Sequence, residues 1–171
     1  MSNFHEIKPQ NMKNNAFEMI SKDWMLITAK SGDSCNTMTA SWGALGFMWG
    51  KNVAFIGIRP QRYTKEFVDA STTLSLSFFG SEYKEDLNYL GTVSGRDEDK
   101  IGKCHLTLNN HGDAPYFEEA HTVLICKKLF RQPLNPDSFI ETDLLDRWYP
   151  NKDYHDLYVI EIEKVLVKDA A

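Results

Sequence analysis

Cysteine is scarce in this chain. Cys35, Cys104 and Cys126 are the three among 171 residues, widely spaced and never in a CxxC pair. An odd, scattered set argues against a disulfide framework and against a zinc site, and it suits reduced thiols in a cytoplasmic protein. Basic clustering is equally absent. The formal net charge is −5 and no block of Lys and Arg stands out, so no nucleic-acid partner is expected. No apolar run approaches the roughly 20 residues of a membrane helix, so no membrane partner is expected either. The segment from Met1 to Gln10 carries His5, Glu6, Lys8 and Pro9 and no apolar stretch, unlike a signal peptide. Nucleotide-loop signatures are missing, with neither GxGxxG nor a Walker A loop. Without GxSxG a serine hydrolase has no support. His5, His105, His111 and His121 lack ligand spacing such as HExxH, so no metal is expected.

Linkers, repeats and low-complexity segments are absent as well, which leaves a single domain over residues 1–171, long enough to bury a substantial core. Helical spacing of Phe17 and Ile20 predicts a helix over Asn14 to Ile20, with Pro9 ahead of it. Trp24 to Ala29 reads as a buried strand, Lys30 to Ser34 as a turn around Gly32, and Thr37 to Trp42 as a further strand of small and hydroxylated residues. The apolar run Val53 to Ile58 suits a strand covered on both faces. Tyr63 to Ala70 reads as helix, and Leu74 to Phe79 alternates as a strand. Glu82 to Leu90 reads as an amphipathic helix stopped by Gly91 in the left-handed region. Asp97 to Ile101 suits one more helical turn, and Thr122 to Phe130 and Leu157 to Val167 are the last long strands. Six or more strands with short helices, and no long βαβ alternation, predict an antiparallel barrel with peripheral helices rather than a Rossmann domain.

Four clusters carry candidate chemistry. In Asn36 to Trp42, small and hydroxyl side chains let a flat ligand approach the backbone, as a flavin ring requires for hydrogen bonds along its polar edge. The same residues also suit an edge strand with surface hydroxyls, and spacing alone favours that plainer role. Arg59 to Lys65 follows an apolar strand and opens a helix. Its N-terminal amides, two arginines and a threonine would hold a phosphate, or would form a helix cap among solvated cations. Ser94 to Lys100 reads as a capped helical turn, with Ser94 as cap and Gly95 allowing a tight backbone. Arg96 and Lys100 there would reach a phosphate or pair with nearby acids. In Asp153 to Asp156, a histidine flanked by carboxylates can hold a proton near neutral pH and would contact a cofactor or a nicotinamide donor, or His155 is a plain surface histidine.

Taken in order, five segments carry a resemblance: NTMTASWG at Asn36 to Gly43, IRPQRYTKEF at Ile58 to Phe67, LSLSFF at Leu74 to Phe79, YLGTVSGRDEDK at Tyr89 to Lys100 and DYHDLYVIEIEKV at Asp153 to Val165. The resemblance spans roughly Phe17 to Lys168, and the chain resembles the flavin reductase-like family in its flavoredoxin-like branch. The resemblance implies a mainly β, FMN-binding split β-barrel with short peripheral helices, assembled as a homodimer. It implies that Thr39, Ala40, Ser41 and Trp42 line the isoalloxazine, and that Arg59, Arg62, Tyr63 and Thr64 hold the phosphate and ribityl chain. Ser94, Gly95 and Lys100 would close the site. His155 falls on the histidine of the family's Gly-Asp-His motif and is the candidate catalytic residue, although Asp153-Tyr154 replaces the Gly-Asp pair. The implied activity is that of an oxidoreductase carrying electrons from NADH, NADPH or a redox protein through FMN to an acceptor, with a redox protein or a monooxygenase as partner. Trp42 or Phe79 would shield the flavin face and favour a protein donor. Two alternatives stand beside this: an FMN-binding electron carrier without NAD(P)H turnover, and a flavin-free split-barrel ligand-binding protein. An oxidase of the pyridoxamine phosphate type shares the barrel, but the RYT and SGRDEDK segments point to the reductase branch.

Overall fold

The computed structural model describes residues 3–168. The ten strands among them are β1 (Phe4–Ile7), β2 (Met25–Ser31), β3 (Ser34–Ala40), β4 (Gly43–Met48), β5 (Lys51–Ile58), β6 (Thr73–Phe78), β7 (Leu108–His111), β8 (Ala114–Phe117), β9 (Thr122–Pro133) and β10 (Asp156–Lys168). The helices are short: α1 (Ala16–Glu18), α2 (Thr64–Ala70), α3 (Lys84–Thr92), α4 (Lys100–Lys103) and α5 (Asp143–Trp148). Eight strands form one antiparallel sheet in the order β3-β2-β6-β9-β10-β5-β4, with β1 paired to the far half of β10. This is a split β-barrel, in which β3 and β4 remain the two ends of the coiled sheet.

The period-two pattern of the central strands explains why the barrel has two cores. Ile27, Leu74, Leu76, Phe78, Leu124 and Cys126 point to the inner cluster with Ile56 and Tyr158. Their neighbours Leu26, Val123 and Ile125 point outward, beneath α3 and the β7–β8 hairpin, with Phe79, Leu87, Leu90 and Phe117. The outer face is therefore covered rather than wet. Even the serines of the LSLSFF segment, Ser75 and Ser77, are fully buried, and the Ser75 hydroxyl donates to the Pro115 carbonyl.

Several expected boundaries shift for local reasons. The first helix reduces to α1, capped by Asn15 accepting from the Phe17 amide, and runs on as a π-turn over Met19–Asp23. Ile20 is buried while Phe17 stands 86% exposed, so the expected apolar face is only half real. Helix α3 does not stop at Gly91. It runs through it to Thr92 and ends on Val93 in extended conformation. The positive-φ glycines are Gly32, Gly50 and Gly112. A side chain at Gly91 would instead meet the Thr39 Cβ at 3.0 Å, so glycine here allows α3 to lie against β3. Asp99, not Ser94, caps α4, accepting from the Gly102 amide at 2.9 Å. The Ser94 hydroxyl accepts from the Arg96 amide within its own turn.

The β4–β5 ladder depends on close approach at Gly43, where an added Cβ would lie 2.5 Å from the Phe55 carbonyl oxygen and 3.3 Å from the Met25 side chain. Backbone cannot yield as a side-chain tip can. Gly43→Ala is expected to destabilise the fold by about 1–3 kcal/mol, read as a lower midpoint in urea unfolding. An unchanged midpoint would show that the ladder has slack there.

Candidate functional site

The ladder register builds the site. Ala40 ends β3 opposite Met25, and Gly43 begins β4 opposite Ile56, so Ser41 and Trp42 bridge the two ends of the sheet. Ile58 pairs with Asp156, which places Arg59 and His155 across from each other just beyond the last rung. Between these elements lies an open cavity of about 220 Å³ lined by Met38, Thr39, Ala40, Ser41, Trp42, Gly57, Arg59, Arg62, Trp148 and His155.

Each functional side chain is fixed by named partners. Arg59 donates to the Asp153 carboxylate at 2.6 Å and to the Trp148 carbonyl at 2.8 Å, and its guanidinium lies 5.0 Å from the centre of the Tyr149 ring. Arg62 donates to the Gly91 carbonyl at 2.8 Å, and burial pushes its pKa down. The Thr39 hydroxyl donates to the Leu87 carbonyl, tying the end of β3 to α3. Trp42 meets Trp148 edge-on at 4.8 Å and leans on the His155 ring at 5.2 Å. His155 Nδ1 lies 2.7 Å from the Tyr149 hydroxyl.

The expectation of a protonated His155 is corrected. Burial, then the neighbouring Arg59, and Arg62 beyond it push its pKa down to about 4, with Asp153 opposing. The flanking carboxylates are engaged elsewhere. Asp153 faces Gln61 and Arg59, and Asp156 pairs with Arg131 and Lys65. His155 is therefore a neutral imidazole at pH 7.

The candidate residues fall into two groups. Thr39, Ala40, Ser41, Trp42, Arg59, Arg62 and His155 share the cavity. Tyr63, Gly95 and Lys100 line a second hollow of about 460 Å³ together with Asn36 and Cys35. Lys100 is buried and its ammonium donates to the Leu90 and Val93 carbonyls at 2.7 and 2.9 Å, so in this chain it pins the end of α3. Thr64 is buried and accepts from the Asn36 amide at 3.0 Å. Ser94 lines neither space. Phe79 is buried in the outer core, away from the cavity, so it shields nothing there.

Sequence reasoning missed Gly57, Trp148 and Tyr149. Leu144, Leu145 and Trp148, spaced i, i+1, i+4 behind an acidic first turn, were a readable sign of α5. The role of Gly57 was not readable, because it follows from contact: a Cβ there would meet the His155 ring at 3.2 Å.

The cavity fits a flavin. Ala40, Ser41 and Gly57 put small side chains or none on part of its wall, and Trp42 supplies a flat apolar surface. Its lining carries two guanidiniums and no carboxylate, a field that suits a phosphate or an electron-rich ring edge.

Residues 18–171 match the model of the flavin reductase like domain, and the chain belongs to that family. No protein of curated function matches it by sequence. Among solved structures it is similar to an FMN-binding domain of a flavin reductases-like enzyme from Shewanella baltica OS155. That match has 16% identity, covers 98% of this chain and 78% of that one, and gives a TM-score of 0.72. Flavoredoxin from Methanosarcina acetivorans matches at 22% identity, over 96% and 76% of the chains, with a TM-score of 0.66. An FMN-binding protein from Thermus thermophilus matches at 20% identity, over 97% and 83%, with a TM-score of 0.68.

The low pKa of His155 has a sign that can be measured. Between about 4 and 6.5 the unfolded chain takes up a proton that the native site refuses. Stability is therefore lost as pH falls through that window. Comparing urea midpoints at pH 7 and pH 4.5, wild type is expected to lose more than His155→Gln. Parallel losses would place the histidine in ordinary solvent.

Proposed function

We propose that this chain binds FMN in the cavity between the ends of β3, β5 and α5 and works as an oxidoreductase of the flavin reductase type. NAD(P)H or a redox protein would supply the electrons. The observation that carries this reading is the convergence of a small-residue strand end, two arginines and a neutral histidine on one cavity without a carboxylate. Thr39 to Trp42 would lie along the isoalloxazine, and Arg62 would face the phosphate or the ring's electron-rich edge. Arg59 would add positive charge while holding Trp148 and Asp153. Tyr63, Thr64, Gly95 and Lys100 would act from behind, setting the turn that carries Arg62. Bound FMN supplies the redox chemistry, and the protein's part is to orient it and keep water from one face.

A second reading has its own support. Trp148 crosses Trp42 at 88° over the cavity, which narrows the room for a stacked nicotinamide. That favours a protein electron donor, with the chain acting as an FMN-binding carrier or serving a monooxygenase. Rapid mixing with NADH and NADPH separates the readings: fast bleaching of the flavin band supports direct reduction, and no bleaching supports the carrier.

Two further proposals accompany the function. The three free cysteines support a cytoplasmic location. An exposed apolar patch supports a homodimer. Strand β4 has pairing on one side, and residues 43–50 carry no charge. Phe47 and Trp49 are 72% and 55% exposed, with Phe130 beside Trp49. An uncharged open edge of this kind is a template for pairing, and a second copy can meet it about a two-fold axis.

Purified protein is expected to bind FMN with visible flavin absorbance. Arg62→Ala should weaken that binding by about 1.5–3 kcal/mol, the worth of one charge-assisted hydrogen bond. Titration by fluorescence quenching measures it, and equal affinity would remove Arg62 from the site. Phe47→Asp combined with Trp49→Asp should shift the species seen by analytical ultracentrifugation from dimer to monomer. A wild-type chain that sediments as a monomer would refute the dimer.

A further inference from the structure

Tyr149 has not so far been given a function. It is buried, follows directly on α5, and is packed by Phe139 at 6.0 Å, Tyr154 at 5.1 Å and the Arg59 guanidinium at 5.0 Å. Those contacts hold its hydroxyl 2.7 Å from His155 Nδ1, with the two rings near perpendicular at 81°. The His155 main chain is fixed as well, since its carbonyl accepts from the Leu134 amide at 2.9 Å.

The direction of the Tyr149–His155 bond follows from counting hydrogens. Burial, with Asp153 adding to it and Arg59 opposing, pushes the Tyr149 phenol above its ordinary value, so it keeps its proton at neutral pH. Among the described residues the hydroxyl has one acceptor within reach, His155 Nδ1. If Nδ1 carried the hydrogen, the phenol proton would be orphaned in a buried place, at a cost of about 1–3 kcal/mol. A neutral imidazole holds a single N–H, so with Nδ1 accepting, the hydrogen sits on Nε2. The ring's free edge borders the cavity beside Gly57 and Trp42.

We propose that Tyr149 is a positioning residue that locks His155 in the Nε2–H tautomer and so presents a fixed, uncharged hydrogen-bond donor to a carbonyl oxygen of the flavin ring. The identity of the ligand rests on the function proposed above, and the tautomer does not. The charged and titratable groups facing this imidazole are Arg59 beyond β5, Arg62 ahead of α2, and Asp153 on its own segment. The two cations oppose a positive imidazole, and Asp153 is tied up by Gln61 and Arg59. A neutral donor held this way does not change its protonation between pH 6 and 8, and it becomes a stronger partner as electron density builds on the carbonyl it faces. Its role is therefore orientation and charge stabilisation, without proton relay.

Long-range proton–nitrogen correlation spectra of imidazole-labelled protein, without flavin, read the tautomer directly. Wild type is expected to show His155 with a protonated Nε2 and a bare Nδ1 from pH 6 to 8. Tyr149→Phe removes only the hydroxyl. Its expected spectrum is a mixture of tautomers of a ring that stays neutral, because burial, Arg59 and Arg62 still hold its pKa down. A protonated Nδ1 in wild type overturns the proposal on its own, even if the variant does not fold. A single, unchanged tautomer in a folded variant overturns it too. Adding FMN to wild type should shift the Nε2–H proton downfield. FMN that binds without moving it overturns the assignment of the carbonyl, and a chain that binds no FMN refutes the flavin reading while the tautomer result stands.

Discussion

The ion pair between Arg59 and Asp153 is the contact on which the site depends. It joins the residue just beyond β5 to the segment that leads into β10, at the point where the ladder between those strands runs out. The same guanidinium donates to the Trp148 carbonyl at the end of α5 and lies against Tyr149. Both charged side chains are mostly buried, so removing either partner would strand a charge of the other sign, a far larger penalty than the loss of a surface pair. Through this contact Trp148, Tyr149 and His155 take their places relative to Trp42. A single charged anchor thus converts an irregular connection between two strands into one wall of a cavity.

Around that anchor the barrel supplies rigidity. The central strands are covered on both faces, which leaves β3 and β4 as the open ends of the sheet. The junction from Ala40 to Gly43 spans those ends. Its backbone is accessible because the ladder has no further strand to pair with it, while α3 holds it from behind through Thr39 and Gly91. Rigid backing and an accessible front suit a planar ligand that is to be held in one orientation.

Much of this was legible in the sequence. Alternation in LSLSFF, the apolar run VAFIGI and the long terminal strands gave the barrel, because period two survives wherever a strand separates two environments. The strand-turn-helix order around Arg59 to Lys65 is there, and it brings Arg59 and Arg62 to the cavity. What failed to read out depends on contacts distant in sequence. Lys100 looks like a phosphate ligand in a charged loop, yet its ammonium is captured by carbonyls at the end of α3. His155 looks like an imidazole between two acids, yet burial, then Arg59 and Arg62, outweigh Asp153 and the ring stays neutral. Strand β4 was invisible because it is exposed almost throughout and has no alternating face. Gly91 looked like a helix stop, when its smallness serves a neighbour across the fold.

The connection from Leu134 to His155 departs from and returns to the paired strands β9 and β10, whose ladder holds the middle of the sheet. It contributes the roof of the cavity and nothing to either hydrophobic core except at its edges. Roof and chassis are therefore separable parts. Change accumulating in this excursion away from Asp153 can retune what the cavity admits while the barrel beneath goes on folding as before.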